Sequence, residues 1–110
     1  MTINDDLINR HCQPLEGHPA MGADEIAARL AKAPGWRLHE GSIEKSYSFP
    51  DFHRTIAFVN ALAWIANRED HHPDLAVSYS RCTVRFNTHS VNGISINDFI
   101  CAAKVDALLA

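Results

Sequence analysis

The sequence predicts a single α+β domain, in which three helices cover one face of a four-stranded antiparallel sheet. Helical and strand-like patterns alternate along the chain in the order helix, two strands, helix, two strands, helix. Within each pair, only a short turn signal separates the two strand-like runs, which indicates an antiparallel hairpin. Hairpins with helices collected on one face form an α+β sandwich, so the alternation itself predicts this class.

The first helix and hairpin follow an irregular beginning. Residues 1–21 show no sustained hydrophobic period and are interrupted by prolines and glycine, which predicts an irregular N-terminal arm before a domain of residues 22–110. Apolar residues then recur at helical spacing in ADEIAARLAKAPGW, where the Pro-Gly pair ends the helix. Alternation on both sides of Glu40-Gly41 predicts a hairpin of residues 36–39 and 42–49.

The second half repeats this order. Asp51 is a predicted N-cap for FHRTIAFVNALAWIANRED, a helix apolar enough to be covered on most of its circumference. It should end before Pro73, because proline disfavours helical geometry in the preceding residue. The segments DLAVSY and CTVRFNT predict a second hairpin, turning near Ser80. Ser95 with Asp98 three residues later resembles a capping box for the last helix, NDFICAAKVDALL.

Length, composition and charge exclude several classes of protein. The chain has 110 residues, 46% of them hydrophobic and 21% charged, which suits one domain with a buried core. A formal net charge of -3 offers no basic surface for nucleic acid or an anionic membrane. Two aspartates stand where a signal peptide would carry positive charge, and no apolar run approaches about 18 residues. We therefore expect a cytoplasmic protein that binds neither nucleic acid nor membrane.

The three cysteines are odd in number and lack CxxC spacing. This fits reduced thiols better than a disulfide framework or a thiolate zinc site. Cys82 and Cys101 lie in apolar patterns and are predicted to be small core residues. Cys12 lies in the arm, and the pattern assigns it no role.

Three histidines are the candidate site. His71 and His72 would point about 100° apart in a helix, so they can serve one target only if the backbone turns there, as Pro73 predicts. His89 follows the fourth strand, whose end can return beside the start of the third in an antiparallel hairpin. Three imidazoles could therefore converge, and such histidines can exchange protons near neutral pH.

Two simpler interpretations of these histidines remain at this point. His71 and His72 could cap a helix end, where the helix dipole favours a cation. Three histidines and a water could also hold zinc, but zinc-binding helices favour ligands at i and i+4, and EDHHPD offers adjacent histidines instead. The sequence contains no dinucleotide-binding, phosphate-loop or nucleophile-elbow pattern.

The spacing of several residues resembles the pterin-4a-carbinolamine dehydratase family. The likeness runs from about Cys12 to the C-terminus and includes PGW, the helix FPDFHRTIAFVNALAWIA and the final GISINDFICAAKVDALLA. Many members carry an acidic residue four positions before the first histidine, where this chain has Asn67. The matched elements, in order, are Asn67, His71-His72-Pro73, Tyr79, Thr88-His89 and Asp98.

The resemblance implies a hydro-lyase that removes water from 4a-hydroxytetrahydrobiopterin to give quinonoid dihydropterin. Such an enzyme recycles tetrahydrobiopterin alongside an aromatic amino acid hydroxylase, and the family uses no metal or organic cofactor. By resemblance, His71 and His89 are the acid/base pair, His72 is a further catalytic residue that holds the pterin, and Asp98 binds substrate near the site. The resemblance also implies a homodimer or homotetramer.

The sequence leaves a second hypothesis from another class. Some relatives act as binding partners, either as transcriptional coactivators or as assembly chaperones, so this chain could be a non-catalytic binding or assembly module on the same fold. Three convergent imidazoles favour the enzyme, because a chain selected only for binding has no physical reason to keep them. Trp36 and Phe49 are predicted core residues, and Tyr79 is expected to pack on the sheet or to border the pocket.

Overall fold

The structure is a computed structural model that describes residues 3–110, with side chains from Asp6 onward. The four strands form one antiparallel sheet in the order β1-β2-β4-β3, so the predicted α+β class is confirmed. Across residues 3–110, no helix is both long enough and apolar enough to span a membrane. The elements are α1 Ile3–Ile8, α2 Ala23–Leu30, β1 Arg37–His39, β2 Ser42–Ser48, α3 Phe52–Glu69, β3 Asp74–Val77, β4 Arg81–Phe86, a 3-10 turn His89–Val91 and α4 Ile96–Ala107.

Residues 3–8 form a helix where the sequence predicted an irregular arm, so the prediction is wrong for this stretch. Leu7 is buried in the core, and α1 packs on α4. The Lys104 Nζ donates to the Ile8 carbonyl at 2.7 Å and so caps the end of α1. Six residues are too few to show a period, and tertiary contacts hold the helix. Residues 9–22 are irregular as predicted, and the division into arm and domain stays a prediction.

The core lies between the sheet and the helices. Ile43 of β2 pairs with Phe86 of β4, and both are at most 1% exposed. Val84 is equally buried, whereas Thr83 and Arg85 lie on the opposite face, because strand side chains alternate. The buried set also contains Cys82 and Cys101, as predicted, and Trp36, while Phe49 is half-buried against it.

The face of the sheet away from the core carries a row of alternating charges. Arg37, Glu44, Arg85 and Asp74 are successive cross-strand neighbours, one from each strand. The Arg85 Nε donates to Glu44 Oε2 at 2.6 Å, and the Arg37 Nη2 donates to Glu44 Oε1 at 2.5 Å. These hydrogen bonds lower the pKa of Glu44 to about 2, with Arg85 the larger cause. Opposite charges side by side favour this register over a slipped one.

The first hairpin and α3 begin as the sequence predicts. Glu40 and Gly41 both have positive φ values, 49° and 80°, as a type I′ turn requires. The Asp51 side chain accepts the Arg54 N–H at 2.8 Å and caps α3. The predicted coverage of α3 is wrong, because Phe52 and Trp64 are 48% and 63% exposed. One face of α3 meets the sheet and α4, and large apolar side chains on its other face are exposed within residues 3–110.

Candidate functional site

Three predicted site histidines lie on the wall of one cavity of about 570 Å³. His71 and His72 come from the end of α3, and His89 begins the 3-10 turn after β4. Residues 12–16 of the arm form another part of the wall. The chain thus brings together groups from the arm, the middle helix and a loop that are distant in sequence.

The end of α3 separates the two adjacent histidines. Asp70 adopts the left-handed conformation with φ 51°, which a short polar residue tolerates better than most. The backbone N–H of His71 then donates to the Ala66 carbonyl at 3.1 Å, as in a Schellman-type helix end. The turn predicted before Pro73 is therefore present. Because both histidines lie beyond the helix, they face the same cavity in spite of being neighbours.

His71 is held in one orientation by two contacts. Its ring stacks on Phe86, with centroids 5.9 Å apart and planes 13° apart. Its Nε2 lies 2.6 Å from Asp98 Oδ1, and its side chain is only 11% exposed. A carboxylate only accepts hydrogen bonds, so the proton on this ring sits on Nε2, and Nδ1 is the basic atom of the neutral imidazole.

Asp98 uses its two oxygens for different purposes. Oδ1 faces His71, while Oδ2 accepts the Ser95 backbone N–H and the Thr88 hydroxyl, each at 2.9 Å. The predicted capping box at the start of α4 is confirmed. Asp98 is fully buried, so the predicted direct contact with substrate is not supported: α4 and the Thr88 loop enclose the carboxylate. It reaches the cavity only through His71.

His72 and His89 are exposed, unlike His71. His72 Nε2 lies 3.0 Å from the amide oxygen of Asn67, one turn earlier on α3. An amide oxygen also only accepts, so this contact directs the ring proton to Nε2 without adding a negative charge. The loop that carries His89 is closed by a bridge in which Thr88 N–H donates to the Gly93 carbonyl at 2.8 Å.

The arm is attached to the site by a buried carboxylate that sequence reasoning missed. Glu69 accepts the Cys12 N–H at 2.8 Å and lies 2.9 Å from His11 Nδ1. Burial alone would raise the pKa of Glu69, but the hydrogen bonds from Cys12 and His11, with Lys104 nearby, lower it. Gln13 N–H also donates to Asn97 Oδ1 at 3.1 Å. A glutamate in the last turn of a helix reads as a surface residue, so no sequence signal marks this contact.

Tyr79 is the member of the matched pattern that lies away from the histidines. It is 66% exposed and stacks on Phe52, with centroids 6.3 Å apart. Of the two predicted alternatives for Tyr79, bordering the pocket is therefore not observed. Among the side chains that the structure describes, no three His, Cys, Asp or Glu residues are grouped as metal ligands would be.

Comparison with known sequences places this arrangement in a family. The profile of the family described as Pterin 4 alpha carbinolamine dehydratase matches residues 19–108. A protein of Nitrosospira multiformis, provisionally named pterin-4-alpha-carbinolamine dehydratase, is 47% identical over 108 residues, which cover 97% of this chain and 96% of that one. A protein of Xanthomonas campestris with the same provisional name is 54% identical over 105 residues, covering 93% and 89%.

Solved structures agree with the fold. The crystal structure of a transcriptional coactivator/pterin dehydratase from Brucella melitensis superposes with a TM-score of 0.79 at 30% identity, covering 83% of this chain and 99% of that one. A pterin dehydratase-like RuBisCO assembly factor of the alpha-carboxysome shares the fold, with a TM-score of 0.58 at 23% identity, over 67% and 88%. The chain belongs to the pterin-4a-carbinolamine dehydratase family.

Proposed function

We propose that this chain dehydrates 4a-hydroxytetrahydrobiopterin to quinonoid dihydropterin at the histidine cavity. One observation carries the proposal: His71, His72 and His89 line a single cavity, and a buried carboxylate orients the first of them. The cavity volume of about 570 Å³ is in the range of small-molecule sites, roughly 300 to 1,000 Å³. A bicyclic pterin is a ligand of this class.

The reaction needs two proton transfers. One proton goes to the 4a oxygen as the C4a–O bond breaks and water leaves, and the N5 proton is removed as the C4a=N5 double bond forms. An imidazole near neutral pH can perform either transfer, and positioned acid/base groups typically contribute about 10²- to 10⁴-fold. His71 and His89 are the proposed acid/base pair.

Asp98 is proposed as a positioning residue for His71. Its Oδ1 accepts from Nε2 and so presents Nδ1 as the proton-accepting atom, while Oδ2 is fixed by the N-terminus of α4. The ring therefore needs no reorientation before a proton is transferred. Preorganised groups of this kind avoid paying reorganisation energy during the reaction.

His72 is proposed to hold the pterin and to assist catalysis. Its partner Asn67 supplies an amide oxygen at 3.0 Å where many relatives have a carboxylate. The amide sets the ring orientation but does not stabilise a positive charge as a carboxylate would. We therefore assign proton donation and removal to the other two histidines, and binding chiefly to His72.

The test is stopped-flow dehydration of enzymatically generated 4a-hydroxytetrahydrobiopterin by the protein and by His71→Ala, His72→Ala and His89→Ala variants. In His71→Ala and His89→Ala, kcat should fall by about 100-fold or more. His72→Ala should raise KM in addition to lowering kcat. His53→Ala is the matched control, because His53 is an exposed histidine at the start of α3, outside the cavity. If the folded protein gave no acceleration over the spontaneous rate, or if His89→Ala kept full kcat, the assignment would fail.

A second candidate function is a binding or assembly module on the same fold. The exposed side chains Phe52 and Trp64 on α3 favour it, because large apolar groups in water often mark contact surfaces. The Brucella melitensis protein is itself described as both a coactivator and a pterin dehydratase. The two functions would coexist if Trp64→Ser kept its dehydratase activity but lost self-association or the binding of a partner. Formation of a homodimer or homotetramer stays a prediction.

A further inference from the structure

Two thiols meet where the arm joins α4, and the proposed dehydration uses neither. The Cys12 Sγ lies 3.5 Å from the Cys101 Sγ, although the residues are 89 positions apart in the chain. Cys12 is half-buried and lines the cavity wall, whereas Cys101 is fully buried in α4. Cys12 therefore borders the cavity, and the Cys101 sulfur lies next to the Cys12 sulfur in the buried interior.

The contact is maintained by the surroundings of Cys12. Its backbone N–H donates to Glu69 Oε1 at 2.8 Å, and its thiol donates to the Asn97 carbonyl at 3.6 Å. The next residue, Gln13, exchanges hydrogen bonds with the Asn97 side chain at 3.1 and 2.8 Å. With Cys12 donating to Asn97, the Cys101 thiol donates to Cys12, so the two sulfurs already face each other.

We propose that Cys12 and Cys101 form a reversible disulfide on exposure to a hydroperoxide, which makes this thiol pair a modification site that crosslinks the arm to α4. A disulfide has an S–S length near 2.05 Å, so the two sulfurs must approach by about 1.5 Å. Side-chain rotation of the half-buried Cys12 can supply part of this movement. The sulfur pair, rather than either thiol alone, is the feature that carries the proposal.

The chemistry balances with hydrogen peroxide as the oxidant. The Cys12 thiolate attacks one peroxide oxygen, an S–O bond forms as the O–O bond breaks, and the departing hydroxide takes a proton to become water. Cys101 sulfur then attacks the Cys12 sulfur, the S–S bond forms, and the hydroxyl leaves as a second water with the Cys101 proton. Two thiols are oxidised by two electrons, and one peroxide is reduced to two waters.

The order of these steps follows from the environments of the two sulfurs. The hydrogen bond to Cys12 and burial raise the pKa of Cys101, so its thiol stays protonated and does not attack peroxide first. Cys12 is the more accessible of the pair. Cys82, the third cysteine, is also fully buried, and burial raises its pKa too, so we expect it to remain a thiol.

The experiment treats the reduced full-length protein with hydrogen peroxide, blocks free thiols, and maps tryptic peptides by mass. The cleavage sites place Cys12 in residues 11–29, Cys101 in residues 86–104 and Cys82 in residues 82–85. We expect the first two peptides to be joined, with loss of two hydrogen masses, and to separate on treatment with dithiothreitol. The oxidised protein should also unfold at a higher Tm, because a crosslink between distant positions restricts the unfolded chain.

Two variants make the result specific. Cys82→Ala keeps the pair and should form the crosslink, whereas Cys12→Ser, a change at a half-buried position, should abolish it. Oxidation of Cys12 to a sulfinic acid without a crosslink would overturn the proposal. A disulfide that involves Cys82 or a second chain would also overturn it. So would three free thiols in the folded protein, under peroxide conditions that oxidise an unfolded control sample.

Discussion

Two aspartates of α4, Asp98 in its first turn and Asp106 in its last, each accept several hydrogen bonds, but only Asp98 is connected to the cavity, through His71. Asp98 receives His71, Thr88 and the Ser95 backbone. Asp106 receives the Trp36 indole at 3.0 Å and the Lys45 ammonium at 2.8 Å, together with the Tyr47 hydroxyl. The two carboxylates are alike in charge and in their use of both oxygens.

The difference lies in the partners. An imidazole is a group suited to proton transfer, and His71 lines the cavity, whereas Trp36, Lys45 and Tyr47 do not line it. A carboxylate that accepts several hydrogen bonds therefore supports structure. It contributes to a site only where one of its partners is an acid/base group that borders a cavity.

The largest effect is expected from Asp98→Asn. The amide has one acceptor where the carboxylate has two, so either His71 or the cap of α4 loses its acceptor and faces a donor. We expect kcat to fall by about 100-fold and the free energy of unfolding to fall by about 2 to 3 kcal/mol. Steady-state kinetics measure kcat, and urea unfolding measures the free energy of unfolding. If the pH–rate profile of the variant matched that of the wild type, Asp98 would not position His71.

Asp106→Asn is the matched change at the other end of α4. It weakens the hydrogen bonds from Lys45 and Trp36 and should lower the free energy of unfolding by about 1 to 2 kcal/mol. Since Asp106 does not line the cavity, kcat and KM should stay at the wild-type values. A drop in kcat as large as that of Asp98→Asn would break the comparison.

Glu69→Gln weakens the attachment of the arm and should lower the free energy of unfolding by about 1 kcal/mol at neutral pH. The pKa of Glu69 is lower in the folded protein than its usual value of 4.5, so its contribution to stability is present above that pH and is lost as pH falls through the folded value. The variant should therefore lose less stability between neutral and acidic pH than the wild type does. Unfolding midpoints over that range, with Glu16→Gln as an exposed control, measure the difference.

The smallest change in stability at neutral pH is expected from Tyr47→Phe, which removes one of the hydroxyl and N–H donors to Asp106. Burial first, and the hydrogen bond to Asp106 second, raise the pKa of Tyr47 above its usual value of 10.0. The folded protein thus keeps this proton where the unfolded chain releases it, and stability should fall as pH rises above about 10. The phenylalanine variant should show a shallower fall in thermal-unfolding midpoints; an unchanged slope would assign the alkaline loss to other groups.

Much of the fold follows from local patterns. The Glu40-Gly41 turn, the Asp51 cap and the Ser95/Asp98 capping box were all predicted because each depends on residues within one turn of the chain. The prediction failed for the arm at residues 3–8 and for the coverage of α3. In both places the structure depends on packing against segments that are distant in the chain, and the hydrophobic period of a segment does not show what packs against it.

The sequence by itself determined the family, the boundaries of both hairpins and of α2, α3 and α4 to within a few residues, and the identity of the candidate histidines. Only the tertiary structure decided that Asp98 lies behind His71 rather than in the cavity, that Glu69 fastens the arm, and that Cys12 meets Cys101. The physical reason is range: caps and turns are set by backbone hydrogen bonds between near neighbours, whereas these contacts join residues 27 to 89 positions apart. Such pairs form only when the sheet and helices have packed around one core.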